Sequence, residues 1–261
     1  MLKAQRQEQI VRRLAQEGTE SVGSIASALG VSEMTIRRDL EELSERKMVE
    51  RVYGGARLPR TLADTFGADG IPVPREYSHA EKRHLHMEEK RRIAQRAVRL
   101  IDAHDTIFLG AGTTAEQMAD CLPAVPLRIV TNSLSIFKRL EHDANVELYL
   151  VGGLYRRQTG CFVGGMAEDA VAPLGIDKAF IGTNGVATGS LFTADIDEGR
   201  LQRLVLDKAH RRYAIADASK IGRRDFYAFF RLIDLCALIC SGEIDPAHRA
   251  EIEQQVDIIE A

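Results

Sequence analysis

Two adjacent arginines, Arg37 and Arg38, lie in the stretch VSEMTIRRDLEEL, residues 31–43. If this stretch is a helix, one apolar face is formed by Ile36, Leu40 and Leu43, at positions i, i+4 and i+7. Both arginines then point away from this face. A guanidinium group can bind guanine through two hydrogen bonds or hold a phosphate by its charge. The pair predicts either contact with nucleic acid or an ordinary solvated helix face, and the surrounding elements must decide between them.

A second polar group lies in FLGAGTTAEQMADCL, residues 108–122, between an apolar run and a helical pattern. Gly110 and Gly112 let the backbone approach an anion closely, and Thr113 and Thr114 add hydroxyl donors near the N–H groups of a helix start. No lysine follows in the register of a Walker loop. The pattern indicates a phosphate-binding loop of another kind, although a plain tight turn would also account for the glycines.

The elements around the two arginines form a helix-turn-helix pattern. Residues 3–17 predict a first helix, and Ser21 and Ser32 are suited to cap a second and a third helix, the third running to about residue 46. A glycine pair at 54–55 permits a hairpin, which predicts a wing. Because the last helix of such a motif lies in the major groove, these surroundings favour DNA contact over a solvated face. The expected DNA-binding residues are Ser32, Glu33, Thr35, Arg37, Arg38, Arg51, Tyr53 and Arg57.

The pattern changes after the wing. The stretch 59–80 contains three prolines and two glycines without sustained periodicity, so we place a linker at 59–76. A basic helix is expected next, at about 81–101, and its Arg83 and Lys90 could contact either the effector or a neighbouring subunit. Short apolar runs then alternate with helical segments, which is typical of an α/β domain with a mainly parallel sheet. The predicted domains are a winged helix-turn-helix at 1–58 and, after the linker, an effector-binding and oligomerisation domain at 77–261.

Polar and small residues recur where the candidate strands of this second domain end, which is where ligands bind in open α/β sheets. Asparagine amides suit sugar hydroxyls, and a lysine suits a phosphate. Taken singly, each could be ordinary loop chemistry, since asparagine and glycine favour turns. The expected effector-binding residues are Gly110, Gly112, Thr113, Thr114, Asn132, Ser133, Gly152, Gly153, Asn184, Gly185 and Lys220.

Charge and composition narrow the class of protein. The net charge is −3 over 261 residues, but the segments 1–60 and 75–99 are net basic and the remainder is acidic, so only the front of the chain is suited to a polyanion. Four scattered cysteines predict buried thiols rather than a zinc site or disulfides. No run of about 18 apolar residues and no apolar block near the N-terminus occurs, so we expect a cytoplasmic protein that does not insert into a membrane.

The stretch VSEMTIRRDLEEL, followed by RVYGGA, closely resembles the N-terminal signature of the DeoR family of bacterial transcriptional regulators over about residues 6–57. The strand-end segments resemble the family's C-terminal effector domain over about residues 77–242. That domain is similar to ribose-5-phosphate isomerase and glucosamine-6-phosphate deaminase. Two departures from the family pattern are Lys47, where a glycine is usual before the wing, and Gly110, where the loop usually begins with aspartate.

The resemblance implies a sequence-specific DNA-binding regulator. We expect a repressor of a carbohydrate-utilisation operon that leaves double-stranded operator DNA when a phosphorylated sugar binds. The family's oligomers imply a homo-oligomer, either a dimer or a tetramer, and no cofactor or metal is expected.

An enzyme is the alternative: a sugar-phosphate isomerase or deaminase fused to a DNA-binding module. Proton transfer between sugar carbons needs a carboxylate base, and the loop IGTNGV offers Asn184-Gly185 where the related isomerases carry acidic residues. The acidic cluster of Asp195, Asp197 and Glu198 keeps this alternative open, although carboxylates also favour a helix start.

Overall fold

The computed structural model of the protein describes residues 3–17, 19–45, 49–52, 54–57 and 77–261. The chain divides into two compact units, Met1–Arg75 and Glu76–Ala261. The predicted linker at 59–76, Lys47 at the wing entrance and Tyr53 of the predicted wing lie outside the described residues.

Short helices and a small antiparallel sheet form the first unit. Its elements are α1 (Lys3–Glu17), β1 (Thr19–Ser21), α2 (Val22–Leu29), α3 (Glu33–Glu45), β2 (Glu50–Val52) and β3 (Gly55–Arg57). The sheet order is β1–β3–β2, so the predicted hairpin of β2 and β3 is joined by a strand that the sequence pattern did not reveal. A Cβ atom on Gly55 would collide with the backbone of Glu20 on β1, which explains why a glycine begins β3.

The predicted ends of α2 and the predicted apolar face of α3 are confirmed. The Ser21 hydroxyl accepts a hydrogen bond from the N–H of Ser24 and caps α2, and Gly30 ends that helix in the left-handed conformation at φ 65°. Ile36 and Leu40 of α3 are fully buried against residues of α1 and α2. The helix-turn-helix is therefore held by one small apolar core.

The second unit alternates strands and helices. Its helices are α4 (His79–Lys82), α5 (Met87–Ala97), α6 (Thr113–Ala119), α7 (Leu134–Leu140), α8 (Gly165–Val171), α9 (Ile196–Lys208) and α10 (Pro246–Glu253). Its strands are β4 (Thr106–Leu109), β5 (Leu127–Thr131), β6 (Val146–Leu150), β7 (Leu154–Arg156), β8 (Cys161–Val163), β9 (Ile176–Gly182), β10 (Gly185–Ala187), β11 (Ser190–Thr193), β12 (Ala209–Asp217), β13 (Tyr227–Arg231), β14 (Ala237–Ser241) and β15 (Ile258–Glu260). Short 3₁₀ turns occupy Val98–Leu100, Ala218–Lys220 and Leu232–Asp234.

Within residues 77–261, a seven-stranded parallel sheet has the order β15–β14–β12–β9–β4–β5–β6, which confirms the predicted α/β class. Alternate residues of the central strands serve two cores: Ile107 of β4 packs with α5, α6 and α7, whereas Phe108 packs with α8 and α9. From β4 the chain continues outward through β5 to β6, and from β9 it continues in the opposite direction through β12 and β14 to β15. These neighbours therefore flank the topological switch point, where ligands bind in open sheets.

The single basic helix expected at 81–101 is wrong. The structure has two helices, α4 and α5, separated by a break in which His86 adopts a left-handed conformation at φ 53°. The buried Lys90 ammonium donates to the carbonyl oxygens of Lys82 at 2.5 Å and Leu85 at 2.6 Å, which satisfies carbonyls that a continuous helix would have used itself.

Two further sequence expectations concern metals and membranes. The described residues contain no cluster of histidine, cysteine, aspartate or glutamate that could hold a metal ion. Among the helices of the described ranges, none is long and apolar enough to cross a membrane. Cys161 and Cys240 are buried thiols, and Cys121 and Cys236 are partly buried.

Candidate DNA-contact surface and effector cavity

Helix α3 presents its polar face to solvent at the position predicted for DNA contact. Ser32 caps the helix by accepting a hydrogen bond from the N–H of Thr35 at 3.2 Å, and the two hydroxyls lie 2.9 Å apart. Arg37 and Arg38 are exposed, as is Glu33. The Arg37 guanidinium lies 3.4 Å from the Glu33 carboxylate, and such an exposed i,i+4 pair contributes little to stability. The face is thus suited to exchange this contact for a phosphate or base.

The inner charges of the same unit are paired within it. Arg6 of α1 donates to both carboxylate oxygens of the buried Asp39 on α3, at 2.5 Å and 3.2 Å. Arg13 likewise holds Glu20 on β1 at 2.5 Å and 3.0 Å, and this hydrogen bonding lowers the pKa of the Glu20 carboxyl against the opposing effect of burial. These pairs fix α1 against α3 and β1, so they are structural.

The wing places two predicted arginines in solvent. Arg51 lies 3.5 Å from the carbonyl oxygen of Arg37, at the limit of a hydrogen bond, and thereby sits beside α3. Arg57 pairs across the hairpin with Glu50 at 2.8 Å. Tyr53, the remaining wing prediction, is outside the described residues.

A cavity of about 80 Å³ opens at the carboxyl ends of β4, β9 and β12, at the switch point of the sheet. Five of the residues predicted for effector binding line it together: Gly112, Thr113, Thr114, Asn184 and Lys220. Gly112 precedes α6 with φ 146° and ψ 154°, a conformation that residues with a side chain rarely adopt. This geometry turns the chain from β4 into α6 and exposes the loop backbone to the cavity.

Three lysines reach the same cavity. Lys82 of α4 donates to the Asn184 side-chain oxygen at 2.9 Å, Lys90 of α5 is 4% exposed, and Lys220 lies in the turn after β12. Burial lowers the pKa of the Lys90 ammonium to about 8, although nearby Asp217 opposes the shift. Burial also lowers the pKa of Lys220. Because each positive charge destabilises the others here, an anion in the cavity would be strongly stabilised.

A buried carboxylate ties α4 to the helix that follows the phosphate loop. Glu116 of α6 is 1% exposed and contacts His79, Arg83 at 3.4 Å and Arg139 at 3.1 Å. Burial alone would raise the pKa of Glu116, but the hydrogen bond from His79 and the arginine charges hold it below its usual value. The cluster positions His79 in the cavity wall.

A second buried carboxylate, Glu198 of α9, enters the cavity from the other side of the sheet. It is 7% exposed and lies in the helix start that the sequence predicted, with Asp195 as the N-cap. One carboxylate oxygen, Oε1, accepts a hydrogen bond from the Thr159 hydroxyl and another from the Cys161 thiol, whose sulfur lies 3.1 Å away. Arg156 approaches the same oxygen at 3.4 Å. The cavity thus combines cationic groups with two buried carboxylates, those of Glu198 and Asp217.

Comparison with known families assigns both units. Residues 6–61 match the DeoR-like helix-turn-helix domain, and residues 85–242 match the DeoR C-terminal sensor domain. The chain belongs to the DeoR family. The exposed face of α3 therefore belongs to a DNA-binding transcriptional regulator, and the cavity belongs to its sensor domain.

Relatives of this DeoR-family chain are similar over their full length. It is 36% identical over 261 residues to the lactose phosphotransferase system repressor of Staphylococcus epidermidis, covering 99% of this chain and 100% of that one. It is 35% identical to the repressor of the same name from Streptococcus mutans, covering 94% of each. The Staphylococcus aureus protein of that name is 34% identical over the whole of both chains.

Similarity to solved structures is partial. Ribose 5-phosphate isomerase A from Methanocaldococcus jannaschii gives a TM-score of 0.38 at 18% identity, covering 50% of this chain and 52% of that one. The β subunit of eIF2B from Chaetomium thermophilum gives 0.41 at 13% identity, covering 58% and 48%. The DeoR-family chain thus spans about half the length of either structure.

The other predicted effector residues lie away from the cavity wall and have local structural contacts. Asn132 accepts a hydrogen bond from the N–H of Ala111 at 3.2 Å and so braces the loop after β4, and Ser133 caps α7. Close packing against backbone requires glycine at Gly185 and at Gly153, where a Cβ atom would lie 2.7 Å from the carbonyl oxygen of Val163. The residues that do not line the cavity are Gly110, Asn132, Ser133, Gly152, Gly153 and Gly185. Their direct contact with an effector stays a prediction.

Several cavity residues were missed by the sequence patterns. Lys82 and His79 belong to α4, which the sequence showed only as part of a basic helix. Lys90 of α5, expected to contact either the effector or a neighbouring subunit, lines the cavity. Asp217 ends β12 within the segment DASK, three residues before Lys220, and this segment was the available signal. The lysine spacing of eight residues in a basic stretch gives no indication of burial, because that depends on the break at His86.

Proposed function

We propose that this DeoR-family regulator represses a carbohydrate-utilisation operon and releases its operator when a phosphorylated sugar binds the sensor domain. The repressor names of its relatives support the first part. The convergence of Lys82, Lys90 and Lys220 on one cavity with the Thr113–Thr114 loop carries the second. Charged and hydroxyl donors of this kind match a phosphate monoester, and the small cavity leaves its sugar within reach of polar walls.

On DNA, we assign the base and phosphate contacts to α3 and the wing. Arg37 and Arg38 project from the outer face of a helix suited to the major groove, with Ser32, Glu33 and Thr35 at its N-terminal end. Arg51, Tyr53 and Arg57 would contact the flanking backbone, which positions the helix without reading sequence. This assignment keeps the domain limits at 1–58, 59–76 and 77–261.

The active form is a cytoplasmic homo-oligomer, a dimer or a tetramer, that binds repeated or inverted half-sites. Effector binding can release DNA only if the effector prefers one of two states of this assembly. The coupling is reciprocal, so operator DNA must weaken effector binding by the same factor.

A two-stage experiment tests the function. Operator sequences are first selected from random duplex DNA with the full-length protein, and fluorescence anisotropy then follows their release by ribose 5-phosphate, fructose 6-phosphate, galactose 6-phosphate and glucosamine 6-phosphate. We expect one of these sugars to raise the operator Kd at least tenfold, while inorganic sulfate at equal ionic strength does not. Selection of no sequence motif, or an operator Kd unchanged by every sugar phosphate, would contradict the proposal.

Catalysis is the second candidate function, and one observation favours it: the Glu198 carboxylate lies in the cavity, where a proton acceptor would be needed. We favour a sensor without catalysis because the loop after β9 presents the Asn184 amide and Gly185, and neither can accept a proton from a sugar carbon. Incubation with ribose 5-phosphate and with glucosamine 6-phosphate decides between them. Turnover at enzyme-like rates that Glu198→Gln abolishes would establish an enzyme.

A further inference from the structure

Two hydrogen-bond acceptors lie one helical turn apart on α9 and line the effector cavity. Glu198 and Gln202 are at i and i+4, so they share one face of the helix. We propose that Glu198 and Gln202 form a hydroxyl-recognition subsite that selects which sugar phosphate the sensor accepts. This inference rests on the proposed function, because it assigns the end of the effector remote from the phosphate.

The Glu198 carboxylate is held in one orientation. Its Oε1 atom receives Thr159, the Cys161 thiol and Arg156, whereas Oε2 lies 3.4 Å from the Thr193 hydroxyl, a long contact for a hydroxyl donor. Oε2 therefore has the greater capacity to accept a hydrogen bond from a ligand. A fixed, buried carboxylate of this kind is more discriminating than a mobile surface one.

The Gln202 amide supplies an independent observation. Its side-chain oxygen is buried, and no hydrogen-bond donor lies within reach of it among the described residues. A buried acceptor without a donor is costly, and native proteins rarely retain one unless something else satisfies it. A hydroxyl group of a bound sugar in this cavity would provide the donor.

The positions of the charges set the direction of the ligand. Lys90 belongs to α5, which packs on one face of the sheet, whereas Glu198 belongs to α9, which packs on the other. The Asp217 carboxylate lies among the lysines, but three ammonium groups outnumber it there. A phosphate dianion is therefore attracted to the lysine side and repelled by Glu198. The carbons farthest from the phosphate then face α9. The expected ligand is a sugar phosphate with at least two hydroxyl groups on those carbons.

The experiment compares affinities of the full-length protein for inorganic phosphate and for the four sugar phosphates by isothermal titration calorimetry. The variants are Glu198→Gln and Gln202→Leu. The matched control is Asp197→Asn, which removes a carboxylate from the same first turn of α9 at a position that does not line the cavity. Gln202→Leu should lower the affinity for the most tightly bound of the four sugar phosphates about tenfold. It should change the affinity for inorganic phosphate less than twofold.

Glu198→Gln should also reduce the discrimination between sugars, because the carboxylate and not merely an acceptor sets their order of affinity. The subsite is overturned if both variants bind a sugar phosphate as tightly as the wild-type protein does. It is also overturned if the variants lose affinity for inorganic phosphate by the same factor as they lose affinity for the sugar phosphate. Should Glu198→Gln not fold, Gln202→Leu decides alone. A wild-type protein that binds none of the four sugars overturns the proposed function itself, which is a different result from failure of the subsite.

Discussion

The two units of this protein use positive charge in opposite ways. On α3, Arg37 and Arg38 stand in solvent while the inner charges, such as Arg6 with Asp39, are paired within the unit. In the sensor domain, Lys90 and Lys220 are drawn into a cavity at the cost of their hydration, and burial lowers the pKa of both. An exposed cation suits a long polyanion at any position along it, whereas buried cations suit one small anion that fits among them.

The largest effect should come from the exposed arginines. Replacing both Arg37 and Arg38 with alanine should lower the affinity for the selected operator about 1,000-fold, since each base-reading arginine contributes about 1–3 kcal/mol. Fluorescence anisotropy measures the change, and sugar-phosphate affinity should stay constant. The matched control is the double alanine variant of Arg91 and Arg92, an exposed pair on α5. Normal operator binding by the α3 variant would refute the DNA-contact surface.

The buried cations should show the reverse pattern. Lys220→Gln should weaken sugar-phosphate binding about 100-fold, because removing one partner of a buried charge pair costs about 2–5 kcal/mol. The operator affinity should be unchanged, and in cells the variant should repress without responding to inducer. Lys138→Gln, at an exposed lysine on α7, is the control. Equal loss of DNA and sugar binding would contradict a division of labour between the units.

The pH dependence should differ between the units as well. The Lys90 pKa of about 8 lies below the ordinary value of 10.5, and a bound phosphate dianion would raise it again. Binding should then take up a proton above pH 8, and affinity should fall by up to about tenfold between pH 8 and pH 9. Operator binding by arginines should not change over this range.

The same shift has a consequence for stability. The unfolded chain retains the Lys90 proton up to about pH 10.5 whereas the folded chain loses it near pH 8, so the ligand-free sensor unit should gain stability between these values. The proton uptake that accompanies sugar-phosphate binding is measured by titration calorimetry in buffers of different ionisation enthalpy. Lys90→Met should abolish this uptake. A wild-type affinity that is constant from pH 7 to pH 9 would show that Lys90 does not face the phosphate.

The smallest effect should come from the wing. Arg57→Ala should weaken binding to the operator about fivefold. It should weaken binding to random-sequence DNA by the same factor, because a contact with the DNA backbone reads no bases. The slope of log Kd against log salt should fall by about one. A loss confined to the selected operator would instead make Arg57 a base-reading residue.

Local patterns predicted most of the first unit. Ser21, Gly30 and Ser32 mark helix ends through short-range hydrogen bonding and backbone conformation, so their effects are visible in neighbouring residues of the sequence. The third strand of the wing sheet, β1, was not visible, because three residues are too few for a pattern and its pairing with β3 is long-range. The parallel sheet was predictable from its apolar runs.

The cavity was only partly predictable. The loop of Gly112 to Thr114 has a local signature, but Lys90 becomes a cavity residue only because the chain breaks at His86 and folds its ammonium group under Lys82 and Leu85. Glu198 was predicted as part of an acidic cluster that suited either a helix start or catalysis, but the sequence did not show which of its three carboxylates lines the cavity. Residues whose function depends on contacts across the sheet cannot be identified from spacing along the chain.

Reciprocal coupling between the units is the central claim, and a paired titration measures it most directly. The operator Kd is determined with and without saturating sugar phosphate, and the sugar-phosphate Kd is determined with and without saturating operator. The account predicts that both Kd values rise by the same factor, of at least about ten. A sugar phosphate that binds the sensor tightly while the operator Kd stays the same would contradict it.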